Sequence, residues 1–335
     1  MKKFLCIILS LFMLTLIGCG NNGEAESKDA SAEIPAVDSS VEESSESPAV
    51  TRPESISVVV LGDSIARGAT LTDPESQRYS TLLAEKLKAD YSKVEMKNLG
   101  LDGQTGAELL ESIKTDPDPA LSDCDYIFVS IGGNNILQFL TTLEGAEEFT
   151  SSISPETFTA YFAYIIAETE EQKQKLAYSC EVISNAFETL NSTYASEQFG
   201  NLIEQAAEKL KTEIPNIVTE LKKINPDAEI IVQTVYNPFK DMIITLTDVT
   251  AILDMHANGE AAVGRLNEQI KANAAEYGYT VLDVHKGFAE SIKTLTFAGL
   301  DITKASFSLD PHPNEKGHEL IAELYYNYLT EKYNG

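Results

Sequence analysis

From Ile56 to the C-terminus, short β-rich runs alternate with helical stretches, and no other feature of the chain constrains its fold as strongly. This is the pattern of an α/β domain with a largely parallel sheet, since each parallel strand needs a crossover, usually a helix, before the next. Ile56-Ser57-Val58-Val59-Val60-Leu61 reads as the first buried strand. Val94–Leu99, Tyr126–Ile131, Glu229–Val235 and Thr280–Val284 read as its companions. Helical spacing puts Tyr79, Leu82, Leu83 and Leu87 on one face. Thr105–Ile113 reads as a second helix, stopped by Asp116-Pro117-Asp118-Pro119. Asn314 is placed to cap a last helix with the apolar face Leu320, Ile321, Leu324, Tyr328 and Leu329. The expected architecture is a three-layer α/β sandwich around a mostly parallel sheet.

One region breaks this rhythm. Residues of about 136–215 read as several helices, with the aromatic patch Tyr161-Phe162-Ala163-Tyr164-Ile165-Ile166 near their middle. That is longer than a single crossover needs. It reads as a helical insertion, either a cap over the sheet edge that meets an apolar substrate or a packed insertion without substrate contact.

The N-terminus is not part of this domain. Met1-Lys2-Lys3 gives a positive start, and an apolar run follows from Phe4 to Ile17, the layout of a secretory signal. Its ending, Leu16-Ile17-Gly18-Cys19, resembles the lipobox of bacterial lipoproteins, which implies cleavage before Cys19 and lipidation of its thiol. Residues 20–54 are rich in Ser, Glu, Ala and Pro and cannot bury enough apolar surface to offset their ordering entropy. They read as a disordered acidic tether, leaving residues 55–335 as the folded domain. The expected location is the extracytoplasmic side of the cell membrane. Among the four cysteines, only Cys124 and Cys180 fall in the domain; a disulfide between them and two separate buried thiols stay equally open.

The formal charge of −27 argues against nucleic acid, whose phosphates call for Lys and Arg. It argues equally against docking on anionic headgroups, so the membrane is expected to be met through the anchor only.

Four loops carry the chemistry. The first strand runs into Gly62-Asp63-Ser64, and in open α/β sheets the ligand crevice lies at the carboxyl ends of the strands. Asn98-Leu99-Gly100-Leu101-Asp102-Gly103-Gln104-Thr105 also joins a strand to a helix, and Gly132-Gly133-Asn134-Asn135 follows the third strand. A glycine amide or an asparagine side chain there can donate to an oxygen on which charge develops. Asp310-Pro311-His312-Pro313-Asn314 precedes the last helix. Of the four histidines, His312 alone has such a setting; His256, His285 and His318 do not. Histidine is the side chain suited to act as a base near neutral pH.

Taken in order, these loops resemble the SGNH (GDSL) hydrolase family of esterases and lipases across about residues 56–332. The resemblance implies an SGNH/flavodoxin-like sandwich and a serine hydrolase acting on esters. Ser64 would be the nucleophile and His312 the base. The amides of Ser64 and Gly103 and the side chain of Asn134 would form the oxyanion hole. The reaction would pass through an acyl-enzyme without metal or organic cofactor. Two positions depart from the pattern. Asn135 stands where the family usually has Asp, and Leu309 stands three residues before the histidine, where the acid is common. Asp310, two residues before, is the expected third member; a backbone carbonyl orienting His312 is the alternative.

The tether and the aromatic insertion favour a lipid-like ester, such as a lysophospholipid. A cell-wall carbohydrate O-acetylesterase and a non-catalytic surface ligand-binding lipoprotein are the alternatives. The oligomeric state is not legible, and no Gly-x-Gly-x-x-Gly follows the first strand to suggest a dinucleotide.

Overall fold

The computed structural model describes residues 52–140, 154–246, 251–301, 306–331 and 333. Residues 1–51, with the expected leader, Cys19 and most of the expected tether, lie outside them. The strands are β1 (Ser55–Gly62), β2 (Lys93–Asn98), β3 (Tyr126–Ser130), β4 (Glu229–Gln233), β5 (Ile243–Leu246), β6 (Ala251–Asp254), β7 (Thr280–Leu282), β8 (Gly299–Asp301) and β9 (Ser306–Ser308). The helices that matter here are α1 (Ser64–Arg67), α2 (Tyr79–Leu87), α3 (Gly106–Thr115), α4 (Gly133–Leu140) and α5 (Pro155–Ile165). They continue with α6 (Glu170–Tyr194), α7 (Glu197–Ile224), α8 (Met255–Ala272), α9 (Val284–Glu290) and α10 (Glu315–Glu331).

The central sheet has the order β2-β1-β3-β4-β7, and every neighbouring pair is parallel. Its middle strands are apolar on both sides because both faces are covered. Val59, Leu61, Ile127, Val129, Ile230 and Val232 face one layer, packed by Leu109 and Ile113 of α3, Leu210, Ile214 and Leu221 of α7, and Leu266 of α8. Val58, Val60, Phe128 and Ile231 face the other, with Tyr79, Leu83 and Leu87 of α2, Phe288 of α9 and Tyr325 of α10. Each such side chain, fully buried, contributes roughly 1.5–3 kcal/mol. This is a mostly parallel α/β sandwich, as the alternation of elements requires.

The last helix presents the expected face to the core, rotated so that Leu320, Leu324 and Tyr328 pack at its edge. Ile321 and Leu329 are buried, but Leu320, Leu324 and Tyr328 are only partly so, and His318, Ala322 and Tyr325 fill the centre. Tyr325 decides this rotation, since its ring stacks on Phe128 at 4.0 Å and on Tyr79 at 5.7 Å. Asn314 does cap the helix, its side-chain oxygen accepting from the amides of Lys316 and Gly317.

Between β3 and β4, α7 is the crossover helix and lies against the sheet. It runs unbroken for 28 residues through Pro215. Proline leaves the carbonyl four residues earlier without its helical donor, and here the Asn273 side chain donates to the Lys211 carbonyl at 3.2 Å instead. Helices α5 and α6 form a separate core with the β5–β6 hairpin, in which Phe158, Tyr161, Ile183 and Phe187 meet Met242, Ile244 and Leu253. Cys180 belongs to this core and Cys124 to the sheet core, so they are two separate buried thiols with no disulfide between them. Burial pushes the Cys124 thiol up to about 11, which makes it a poor nucleophile.

Candidate active site

In the strand order, β1 has β2 on one side and β3 on the other, so the chain reverses direction across the sheet between β1 and β3. A crevice opens at the carboxyl ends of strands at such a switch point. Ser64 leaves β1 there, and Asn134 leaves β3 beside it. Gly62 makes the close approach possible. Its φ is +147°, and a Cβ at this position would lie 2.2 Å from the Ser130 carbonyl oxygen. Only glycine tolerates both. Asp63 then caps the single turn α1, its carboxyl accepting from the Ile65 amide at 2.9 Å. Asp63 is 2% exposed. Burial raises its carboxyl to about 7, against the Ile65 amide and the charge of His312, which pull it down.

His312 arrives from the other end of the chain. Its Nε2 is 2.9 Å from Ser64 Oγ and its Nδ1 is 2.6 Å from Asp310 Oδ1. The same Asp310 oxygen accepts from the His312 backbone amide at 3.0 Å, so residue and ring are held at two points. The loop is clamped further. The Phe297 amide donates to the His312 carbonyl, the Tyr236 hydroxyl donates to the Pro311 carbonyl, and the Asn314 side chain donates to the carbonyls of Thr294 and Thr296. A hydroxyl, an imidazole and a carboxyl in line can move a proton from oxygen to ring while the carboxylate steadies the imidazolium. The acid two residues before the histidine reaches Nδ1 because the loop turns back on itself at Pro311.

The third and second loops meet. Asn134 Nδ2 donates to the Gln104 carbonyl at 3.1 Å and lies 3.4 Å from Asp63 Oδ2. Gly103 precedes Gln104 in a left-handed conformation, with open space on its Cβ side. Asn98 holds the start of this loop. Its amide donates to the Ala66 carbonyl and to Ser80 Oγ, and its oxygen accepts from the Gly100 amide. Asn135 is fully buried and turns away from Ser64, towards Glu213. Arg67 pairs with Asp102 at the surface, both side chains about half exposed.

A cavity of about 790 Å³, open mouth included, begins at Ser64, Asn134 and His312. Beyond them it is almost wholly apolar. Ile136 and Leu137 of α4, Tyr194 and Phe199 at the α6–α7 junction, and Ala262 and Leu266 of α8 form its walls. These wall residues escaped the sequence reading. They come from four helices spread along the chain, and each fits its own helix as an ordinary core residue.

The remaining histidines sit elsewhere. His285 Nε2 is 2.9 Å from Glu260, and His256 Nδ1 is 2.7 Å from the Lys240 carbonyl. His318 is buried, accepts the Tyr79 amide at Nδ1, and is held by burial at about 3. Among the described residues no group of three or more His, Cys, Asp and Glu side chains could hold a metal ion, and no helix is long and apolar enough to cross a membrane.

The GDSL-like lipase/acylhydrolase family model matches residues 60–320. The chain is 22% identical over 283 residues to the uncharacterized protein YpmR of Bacillus subtilis (strain 168), covering 83% of each. Among solved structures, the lipase Lip_vut3 from a goat rumen metagenome matches with a TM-score of 0.51 and 14% identity, over 81% of this chain and 95% of that one. At that identity the likeness speaks for the fold alone.

Proposed function

The chain belongs to the GDSL-like lipase/acylhydrolase family, whose general activity is ester hydrolysis, and within it we propose a serine esterase that cleaves carboxylic esters of lipid-like acyl chains through an acyl-enzyme. One observation carries this reading: the Ser64–His312–Asp310 chain of hydrogen bonds opens directly onto an apolar cavity. In the proposed reaction Ser64 Oγ attacks the ester carbonyl and His312 Nε2 takes its proton. The developing oxyanion rests against the Ser64 and Gly103 amides and the Asn134 side chain. His312 then returns the proton to the leaving alcohol, and a water activated by the same imidazole releases the acid. An acyl chain is the group that gains from the apolar walls; an O-acetyl sugar would leave them empty and bring its hydroxyls against them.

Residues 55–335 are proposed as the catalytic domain, exported and held at the outer face of the membrane by lipid on Cys19. Support for this part is the order of charged start, apolar run, small residue and cysteine. Metabolic labelling with a fatty acid is expected to mark the wild type and not Cys19→Ala, and equal labelling of the two, or no labelling of the wild type, would remove the anchor from the proposal.

The function is tested with the soluble domain and p-nitrophenyl esters from acetyl to palmitoyl, with Ser64→Ala alongside. Ser64-dependent turnover that rises from acetyl to longer chains is expected. A sharp preference for acetyl would redirect the reading to carbohydrate deacetylation. A folded protein with no Ser64-dependent turnover on any ester would overturn it.

A further inference from the structure

We propose that Glu213 is a positioning residue for the oxyanion-binding loops, acting through Asn135 on the turn 103–106 and on Asn134; this rests on the esterase reading above. Glu213 interrupts an otherwise apolar stripe. It lies on the sheet-facing side of α7 among Leu210, Ile214 and Ile217, and is only 9% exposed. A leucine there would continue the stripe, and burying a carboxyl instead is costly unless it is hydrogen-bonded. Sequence that breaks a local rule without a structural gain points to a site.

The partner of that carboxyl is Asn135. Its Nδ2 donates to Glu213 Oε2 at 2.7 Å, and its Oδ1 accepts from the Gly106 amide at 3.2 Å. Asn135 is fully buried, so this amide has no water to exchange with. Gly106 opens α3, where backbone amides lack intrahelical acceptors. The carboxyl also lies directly on the Gly106 backbone, for a Cβ built there would stand 2.3 Å from Glu213 Oε2.

Two adjacent asparagines therefore hold one turn from opposite sides. Asn134 holds it from the cavity side through the Gln104 carbonyl, and Asn135 from the buried side through the Gly106 amide. Gly103 lies within the same turn. Glu213 is the fixed point behind both, on the crossover helix α7 that packs against the sheet. Its contribution is to fix where the Gly103 amide and the Asn134 side chain stand relative to Ser64, without touching substrate. Preorganised donors of this kind act on the transition state more than on bound substrate.

The test is an exchange of amide and carboxyl across the pair. Asn135→Asp alone sets two carboxyls against each other, and Glu213→Leu alone removes the acceptor that holds Asn135 Nδ2. The double variant Asn135→Asp/Glu213→Gln restores one donor and one acceptor, and the carboxyl introduced at position 135 keeps an oxygen for the Gly106 amide. We expect each single change to lower kcat by about 10- to 100-fold with little change in KM, and the double variant to regain most of the loss. Gly106→Ala, which displaces the carboxyl without changing any polar side chain, is expected to act like the single variants. The Asn134 side-chain amide resonances in ¹H–¹⁵N spectra give a readout independent of turnover: they should shift in the single variants and return in the double. Single variants with full kcat and unmoved Asn134 resonances, or a double variant no better than the worse single one in both readouts, would overturn the proposal. Loss of Ser64-dependent turnover in the wild type would instead count against the esterase reading, and the resonances would still decide this one.

Discussion

Replacing Asp310 by Asn removes one negative charge and leaves the histidine loop almost its own shape. The asparagine oxygen can take the place of Asp310 Oδ1, accepting from His312 Nδ1 and from the His312 backbone amide as the carboxylate does at 2.6 and 3.0 Å. What disappears is the attraction between carboxylate and imidazolium, which exists only after Ser64 has given up its proton. Two unit charges about 4 Å apart attract by about 4 kcal/mol at an effective dielectric constant of 20. The Asp310 side chain is 26% exposed, and partial contact with water lowers that to roughly 2–3 kcal/mol. The expected result is a fall in kcat of roughly 30- to 150-fold. KM should stay nearly constant, since the ground state carries no imidazolium to stabilise. The assay is steady-state hydrolysis of one p-nitrophenyl ester by wild type, Asp310→Asn and Ser64→Ala, with circular dichroism to confirm equal folding. A kcat within about threefold of wild type would refute the electrostatic argument and favour a Ser64–His312 dyad oriented by the loop alone.

Three further changes probe other parts of the structure. Asn134→Ala should lower kcat by about 10²–10³-fold, the usual cost of one oxyanion donor, and normal turnover in a folded variant would strip Asn134 of that role. Gly62→Ala drives a methyl group into the Ser130 carbonyl, so thermal melting should show a loss of about 3 kcal/mol or more; an unshifted melt would mean that β1 and β3 can part locally at no cost. His318 is held neutral in the fold at about 3, chiefly by burial and also by the charge of His312, whereas an unfolded histidine takes up a proton below about 6.5. Its share of stability is therefore complete above that pH and is lost progressively as pH falls towards 3. Relative to pH 7.5, the wild type should lose about 2 kcal/mol at pH 5 that His318→Asn does not lose. Urea melts of both proteins at the two pH values check this, and parallel losses would refute it.

The parts of the fold that were legible in the sequence are those decided by local chemistry. β1, β3 and β4 announce themselves because a strand covered on both faces must be apolar throughout. The loops around Ser64, Asn134 and His312 were legible because tight strand-to-helix turns need glycine, asparagine and proline at fixed places. The helix α7 was harder to bound, since a proline inside a helix costs a backbone hydrogen bond and the remedy for Pro215, the Asn273 amide, lies 58 residues further on. The inward face of α10 was only partly legible because Tyr325, a residue with a polar tip, is among the fully buried ones at its centre. Hairpins β5–β6 and β8–β9 have strands of only three or four residues, too short for a periodic pattern to stand out. The cavity walls follow the same logic: Phe199 and Ala262 become neighbours only when α7 and α8 have packed.

The placement of Ser64 just after the first strand and His312 just before the last helix has a consequence for truncated chains. Helix α10 seats on α2 through the bond from the Tyr79 amide to His318 and through the stacking of Tyr79 on Tyr325. Under the proposed roles, a chain cut before His312 keeps Ser64 but lacks the histidine and the helix that anchors its loop. Such a chain is expected to be inert towards esters, because the proposed nucleophile and base meet only once α10 has docked on α2.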